Sequence, residues 1–169
     1  MEDSASPSGP ILAALRAMPG YLRDVSLRVS HEAALTSGPG GGLSFLEQVW
    51  HLADLEVEGY GLRIDRILNE ETPKLADFDG GRIAREREYR SRKLAEGLAR
   101  FAEARERNVA ILAAVTPSQW ERTATQEGVG SLRLSDVPRM MAEHDASHRN
   151  EIRALLGDAS PESGSTRVA

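Results

Sequence analysis

At 169 residues, 40% apolar and 28% charged, the chain is long enough for one domain with its own core and ordinary in composition for a globular protein. A net charge of −5 argues against a general nucleic-acid binder, and the absence of cysteine removes disulfides, thiolate nucleophiles and cysteine zinc sites. No apolar run approaches the ~20 residues that span a bilayer, and no basic-then-apolar leader opens the chain, so the expectation is a cytoplasmic protein without a membrane partner.

Aromatic residues are only 5% of the chain, and Ala, Leu, Arg and Glu dominate, a mix that favours helix over sheet. Residues 1–9 and 158–169 are small and polar and read as flexible tails, leaving a folded domain over 10–157. Ile11 to Met18 is helical in pattern and Pro19-Gly20 interrupts it, so a bent first helix is expected to end near Leu35. The glycine-rich run from Thr36 to Gly42 is a loop. Ser44-Phe45-Leu46-Glu47 fits a capping box and opens a second helix that runs past Leu68 and stops before Thr72-Pro73. Residues 74–81 connect to a third helix, expected from Arg82 to Val115, with Leu94, Leu98, Phe101, Leu112 and Val115 inward. Residues 117–134 read as a long connection with at most one short helical turn. Ser135 or Asp136 then caps a fourth helix that Gly157 ends. Four amphipathic helices and no convincing strand predict an all-α four-helix bundle.

Along the fourth helix Val137, Met141, His144, His148, Ile152 and Leu155 recur at steps of three or four, which places both histidines on the core-facing stripe. At that spacing their Cβ atoms stand ~6 Å apart, close enough to share an ion. Two buried imidazoles need polar partners, since each unpaired group costs about 1–3 kcal/mol. A divalent metal, a carbonyl or a carboxylate would serve, and the pair alone does not decide between them. His51, in the second turn of helix two, offers a third ligand. His31, beside Glu32, reads as solvated. The zinc-protease motif H-E-x-x-H is absent, because Asp145 follows His144, and so is the pair of Glu-x-x-His motifs of di-iron bundles. Glu47, Asp54 and Asp145 are candidates to bond the outer nitrogens of the imidazoles, or else are capping and solvent-facing residues. Arg122 and Asn150 are candidate pocket groups, with surface or helix-packing roles as the alternative. The basic run Arg82, Arg85, Arg87, Arg90, Arg92 and Lys93 is interrupted by Glu86 and Glu88. An ion-paired face is expected there rather than a nucleic-acid surface.

With these residues placed, the sequence resembles the DinB-like (YfiT/DinB) superfamily of metal-binding four-helix bundles. The likeness rests on Leu15 and Pro19; on Ser44, Val49, His51-Leu52-Ala53-Asp54 and Glu56; on Phe101, Arg107 and Asn108; on Trp120 and Arg122; and on Met141, Glu143-His144-Asp145 and His148. It implies helices running up-down-down-up with long crossings, and a divalent ion, usually zinc or nickel, on His51, His144 and His148. It implies a small-molecule substrate, and a homodimer is common among relatives. Similar proteins include thiol-dependent S-transferases and isomerases that use a low-molecular-weight thiol such as bacillithiol or mycothiol; others are assigned as metal-dependent hydrolases. The expectation for this chain is a metal-dependent enzyme, thiol S-transferase ahead of hydrolase, with a non-catalytic metal- or ligand-binding bundle as the alternative. Three neutral imidazoles leave an ion with a position open to water or a substrate anion, the arrangement of a catalytic site. No residue is singled out as a general base. Many relatives carry Trp just before the serine that opens helix two, and this chain has Leu43 there.

Overall fold

The structure is a computed structural model that describes residues 9–157; the segments 1–8 and 158–169, expected to be tails, lie outside the described residues. Helix α1 (Gly9–Ser26) buries Leu15, Met18, Leu22 and Val25, a spacing that aligns them on one side. It continues through Pro19, which has no N–H to offer the Leu15 carbonyl. Arg105 Nη1 donates to that carbonyl instead, at 3.0 Å. The helix ends at Ser26, earlier than expected, and a separate short helix α2 (His31–Leu35) follows, capped by Ser30 Oγ on the Ala33 N–H.

The capping box at Ser44 forms as expected and starts α3 (Phe45–Asp54). This helix widens into a π turn over Leu55–Gly61 and continues as α4 (Leu62–Asn69). Wide turns of this kind are rare and frequently mark functional sites. Gly61 is required in it, because a Cβ there would stand 2.9 Å from the Glu56 carbonyl oxygen and 3.2 Å from Asn108 Oδ1. Asn108 Nδ2 donates to that same carbonyl at 2.9 Å.

The expected third helix is in fact two. A short strand β1 (Lys74–Leu75) and helix α5 (Gly80–Glu86) precede a break at Glu88, whose φ of 48° ends the helix. The break turns Tyr89 inward, where its hydroxyl donates to Asp54 Oδ2 at 2.7 Å. Helix α6 (Leu94–Ala113) starts afresh beyond it. The next connection holds a short helix α7 (Pro117–Trp120) and two strands, β2 (Thr123–Gln126) and β3 (Gly130–Arg133), and leads into α8 (Val137–Leu156). The strands correct the expectation of none: β2 pairs parallel to β1 and antiparallel to β3. Short strands whose buried residues are Leu75, Ala124, Gln126 and Leu132 carry little hydrophobic alternation to read, which is why the pattern hid them.

Four long helical segments, α1, α3–α4, α6 and α8, form the bundle, with α6 against α1 and α3, and α8 against α1 and α3. Gly97 lies against Val49 and Trp50, Arg105 bonds Glu56, and Asn108 meets Gly61, so α3–α4 and α6 run parallel. Gln48 meets His148 and His51 meets His144, so α8 runs antiparallel to α3. Parallel neighbours cannot be joined by a tight turn, hence the long crossing that carries β1 and α5. The core falls into two large clusters, one around Tyr60, Trp120 and Met141 and the other around Val49, Phe101 and Ile152. His144 and His148 sit between them along α8.

Candidate metal centre

The three histidines singled out in the sequence meet. His144 Nε2 lies 3.5 Å from His51 Nε2 and 3.2 Å from His148 Nε2, and one nitrogen from each lies within 4.8 Å of the others. Nitrogens ~2.0–2.1 Å from one tetrahedral ion stand roughly 3.3–3.4 Å apart, so this spacing suits a single divalent ion. Hydrogen bonds cannot serve all three atoms at once. If His144 Nε2–H donates to His148, it has no lone pair left to accept from His51. The other nitrogens of His51 and His144, both Nδ1, are buried without partners among the described residues.

Burial pushes all three imidazoles down to about 4. Mutual charge adds to this: His144 acts on His51, His148 with Arg105 and Arg63 on His144, and His51 on His148, while Asp54 opposes the fall at His51. At neutral pH all three are therefore unprotonated, the form that ligates a metal. Gln48 fixes one tautomer. Its Nε2 donates to the Leu43 carbonyl at 3.3 Å, which turns Oε1 toward His148 Nδ1 at 2.9 Å. His148 must then carry its proton on Nδ1 and present a lone pair at Nε2, the orientation an outer partner gives to a metal-binding imidazole.

The walls come from two other elements. The Phe78 ring lies 6.0 Å from the His51 ring, and Tyr60 meets His144 edge-on at 6.2 Å. Burial raises the Tyr60 hydroxyl to about 12, so it keeps its proton. Gly80, at the start of α5, lies so close that a Cβ there would stand 2.6 Å from His51 Nδ1.

The carboxylates expected to bond the histidines do not. Glu47 is spent on the helix cap and on Arg90. Asp54 accepts from Arg87 at 2.6 Å, Arg100 at 3.0 Å and Tyr89. Asp145 takes both ends of the Arg105 guanidinium, at 2.6 and 3.0 Å, which in turn bonds Glu56 at 2.9 and 3.0 Å. Burial works to lower the Arg105 pKa, but Asp145 and Glu56 outweigh it and raise it; burial also pushes the Asp145 carboxyl up, with Arg105 opposing. Arg122 anchors the end of α4, bonding the Ile67 and Glu70 carbonyls at 2.5 and 2.6 Å, and Asn150 is exposed on α8, so neither belongs to the site. His31 is exposed at the start of α2.

Sequence reasoning did not single out Gln48, Tyr60, Phe78 or Gly80 for the site. Gln48 was within reach, since it precedes His51 by three and shares its face. Phe78 and Gly80 arrive from a connection without periodicity.

The sequence profile of the DinB superfamily matches residues 13–152. The chain belongs to the DinB superfamily. Its fold is similar to that of YfiT from Bacillus subtilis, described as a probable metal-dependent hydrolase with an unusual four-helix bundle topology. The TM-score is 0.79 at 21% identity, over 89% of this chain and 87% of that one. No functionally curated protein is detectably similar. The up-down-down-up bundle expected for a DinB-like chain is thus present, and the three-histidine cluster suits the divalent metal expected of such a protein. No helix among the described residues is long and apolar enough to cross a membrane.

Proposed function

We propose that this DinB-superfamily protein is a metal-dependent enzyme whose His51, His144 and His148 hold one divalent ion, zinc or nickel, and that it transfers a low-molecular-weight thiol onto a small-molecule substrate. One observation carries the reading: three neutral Nε2 atoms converge at tetrahedral spacing with no fourth protein ligand beside them among the described residues. When bound, such an ion supplies Lewis acidity that keeps a thiol in its nucleophilic thiolate form near neutral pH.

The chain's own residues favour thiol transfer over water activation. The buried carboxylates Asp54, Glu56 and Asp145 are each committed to arginines, so none is free to take a proton from an attacking water. A thiol starts from a pKa of about 8.5 against about 15.7 for water, so on binding the ion it would release its proton to solvent with no such base. Gln48 orients His148, Phe78 and Tyr60 exclude water on two sides, and Tyr60 retains a proton to donate. Hydrolysis is the second reading, favoured by the likeness to YfiT.

Metal analysis of untagged protein tests the first step. Stoichiometric zinc or nickel is expected, and its absence together with no stabilisation by either ion overturns the proposal. Loaded protein is then offered bacillithiol, mycothiol and glutathione. A thiol that enters the coordination shell, seen by cobalt substitution as a sulfur charge-transfer band, supports thiol transfer. A shell that exchanges water but no thiol leaves hydrolysis.

A further inference from the structure

Arg63 and Arg105 are the two buried arginines among the described residues, and they differ in what they hold. Arg105 is saturated by two carboxylates and the Leu15 carbonyl. Arg63, at 7% exposure, has no carboxylate within ion-pair distance and donates no hydrogen bond among the described residues. Its guanidinium lies over the Tyr60 ring, 5.4 Å from the centroid. A guanidinium brings five N–H donors, and those of Arg63 are left to the little water that reaches this cleft instead of to protein acceptors. Burial accordingly lowers its pKa, with Tyr60 and Asp77 opposing, whereas the partnered Arg87 and Arg105 are raised.

The guanidinium does have somewhere to reach. Arg63 lines a cavity of about 100 Å³ between α4 and the segment joining β1 to α5, shared with Gly59, Leu75, Asp77 and Phe78. That volume has room for about three waters, or one carboxylate group. Two of the residues around Arg63 also border the histidines: Phe78 packs on His51 and Tyr60 on His144. The Arg63 charge reaches His144 as well.

We propose that Arg63 is the anion-recognition residue of this site, binding a carboxylate of the small molecule that reacts at His51, His144 and His148. What happens to that molecule rests on the metal-centre reading; the anion subsite rests on Arg63 and its cavity. The planar fork of arginine matches a carboxylate with two parallel hydrogen bonds. Glu58, also on the cavity wall, is neutralised by Arg87 and Arg100, which leaves exposed Asp77 as the competing acid. A singly charged ligand tolerates that neighbour better than a doubly charged phosphate does.

The test titrates acetate into zinc-loaded and zinc-free protein and reads the Arg63 Nε–Hε NMR resonance, with acetamide as the neutral isostere and inorganic phosphate as the rival. Acetate is expected to shift the resonance saturably in both forms, acetamide not at all, and phosphate less than acetate. Arg63→Gln, read in parallel with the wild type through the backbone amide of Phe78 on the same cavity wall, should weaken acetate binding at least tenfold with zinc stoichiometry unchanged. Undiminished acetate binding in Arg63→Gln, or a response to phosphate stronger than to acetate, overturns the proposal. If Arg63→Gln does not fold, Asp77→Asn carries the test: acetate should bind severalfold tighter, and unchanged affinity overturns it. A protein that shifts with acetate yet takes up no zinc sinks the metal centre and leaves the anion subsite standing.

Discussion

Arg105 donates to the Leu15 carbonyl at 3.0 Å, the carbonyl that Pro19 leaves without its helical partner. One side chain thus repairs α1, pairs Glu56 on the π turn and pairs Asp145 on α8, tying three of the four bundle segments to the fourth. Removing it strands the Asp145 carboxylate and the Leu15 carbonyl and leaves the Glu56 carboxylate only the bond from Asn108 Nδ2 at 3.0 Å. Breaking a buried pair from one side costs about 3–5 kcal/mol. Arg105→Ala should therefore lower the unfolding free energy measured in urea by that order, and a loss under 1 kcal/mol would mean that water replaces the guanidinium.

The ligand set makes a graded prediction. Alanine at His51, His144 or His148 removes one of three donors, and zinc should no longer be retained against a chelator that leaves the wild type loaded. Gln48→Leu keeps every donor but frees the His148 ring to rotate and change tautomer. Loss of an outer partner costs 10–100-fold in metal affinity, so this variant should fall between wild type and the alanine series in a chelator competition. Equal affinity for wild type and Gln48→Leu would show that the Gln48 contact is packing only.

How far the sequence alone reaches is visible in these same residues. The four-helix plan and the inward facing of His144 and His148 follow from periodicity, because a stripe at three-and-four spacing must face the core whatever it contains, while the joining of His51 to them was what the family resemblance implied. The capping box at Ser44 was legible for the same local reason. The commitments of Asp54, Glu56 and Asp145 were not, since arginines 33 to 49 positions away decide them. Tyr89 breaks the expected third helix for a buried bond to Asp54, a tertiary gain that no helix propensity records. The small sheet escaped because two-residue and four-residue strands are too short to show a period.

Gly80 tests whether the crossing between α4 and α6 helps to shape the centre. An added Cβ would stand 2.4 Å from His51 Cε1 and 2.6 Å from Nδ1, inside any tolerable contact. The imidazole can swing away more easily than the bundle can open, so Gly80→Ala should fold with little change in metal-free stability. Zinc affinity should drop, because His51 Nε2 leaves the other two nitrogens. Chelator competition beside urea unfolding separates the two effects. Loss of stability without loss of zinc would place the strain in α5 instead of in the ring.

Acid should undo the metal-free protein through its histidines. An unfolded imidazole titrates near 6.5, and burial holds these three at about 4 in the fold. Between those values the unfolded chain binds protons that the folded one refuses. Linkage then makes stability rise with pH, so stability falls as pH drops from about 6.5 toward about 4. Asp145 works in the opposite sense closer to its ordinary 3.8, because burial raises it in the fold. Urea midpoints measured in chelator from pH 7.5 to 4.5 should decline with a slope approaching three protons taken up on unfolding. His148→Phe, which removes one titrating group and keeps an aromatic ring in the core, should reduce that uptake by about one proton. A midpoint flat across that range would mean that the imidazoles are charged in the fold, and the lone pairs needed for a metal would then not be free.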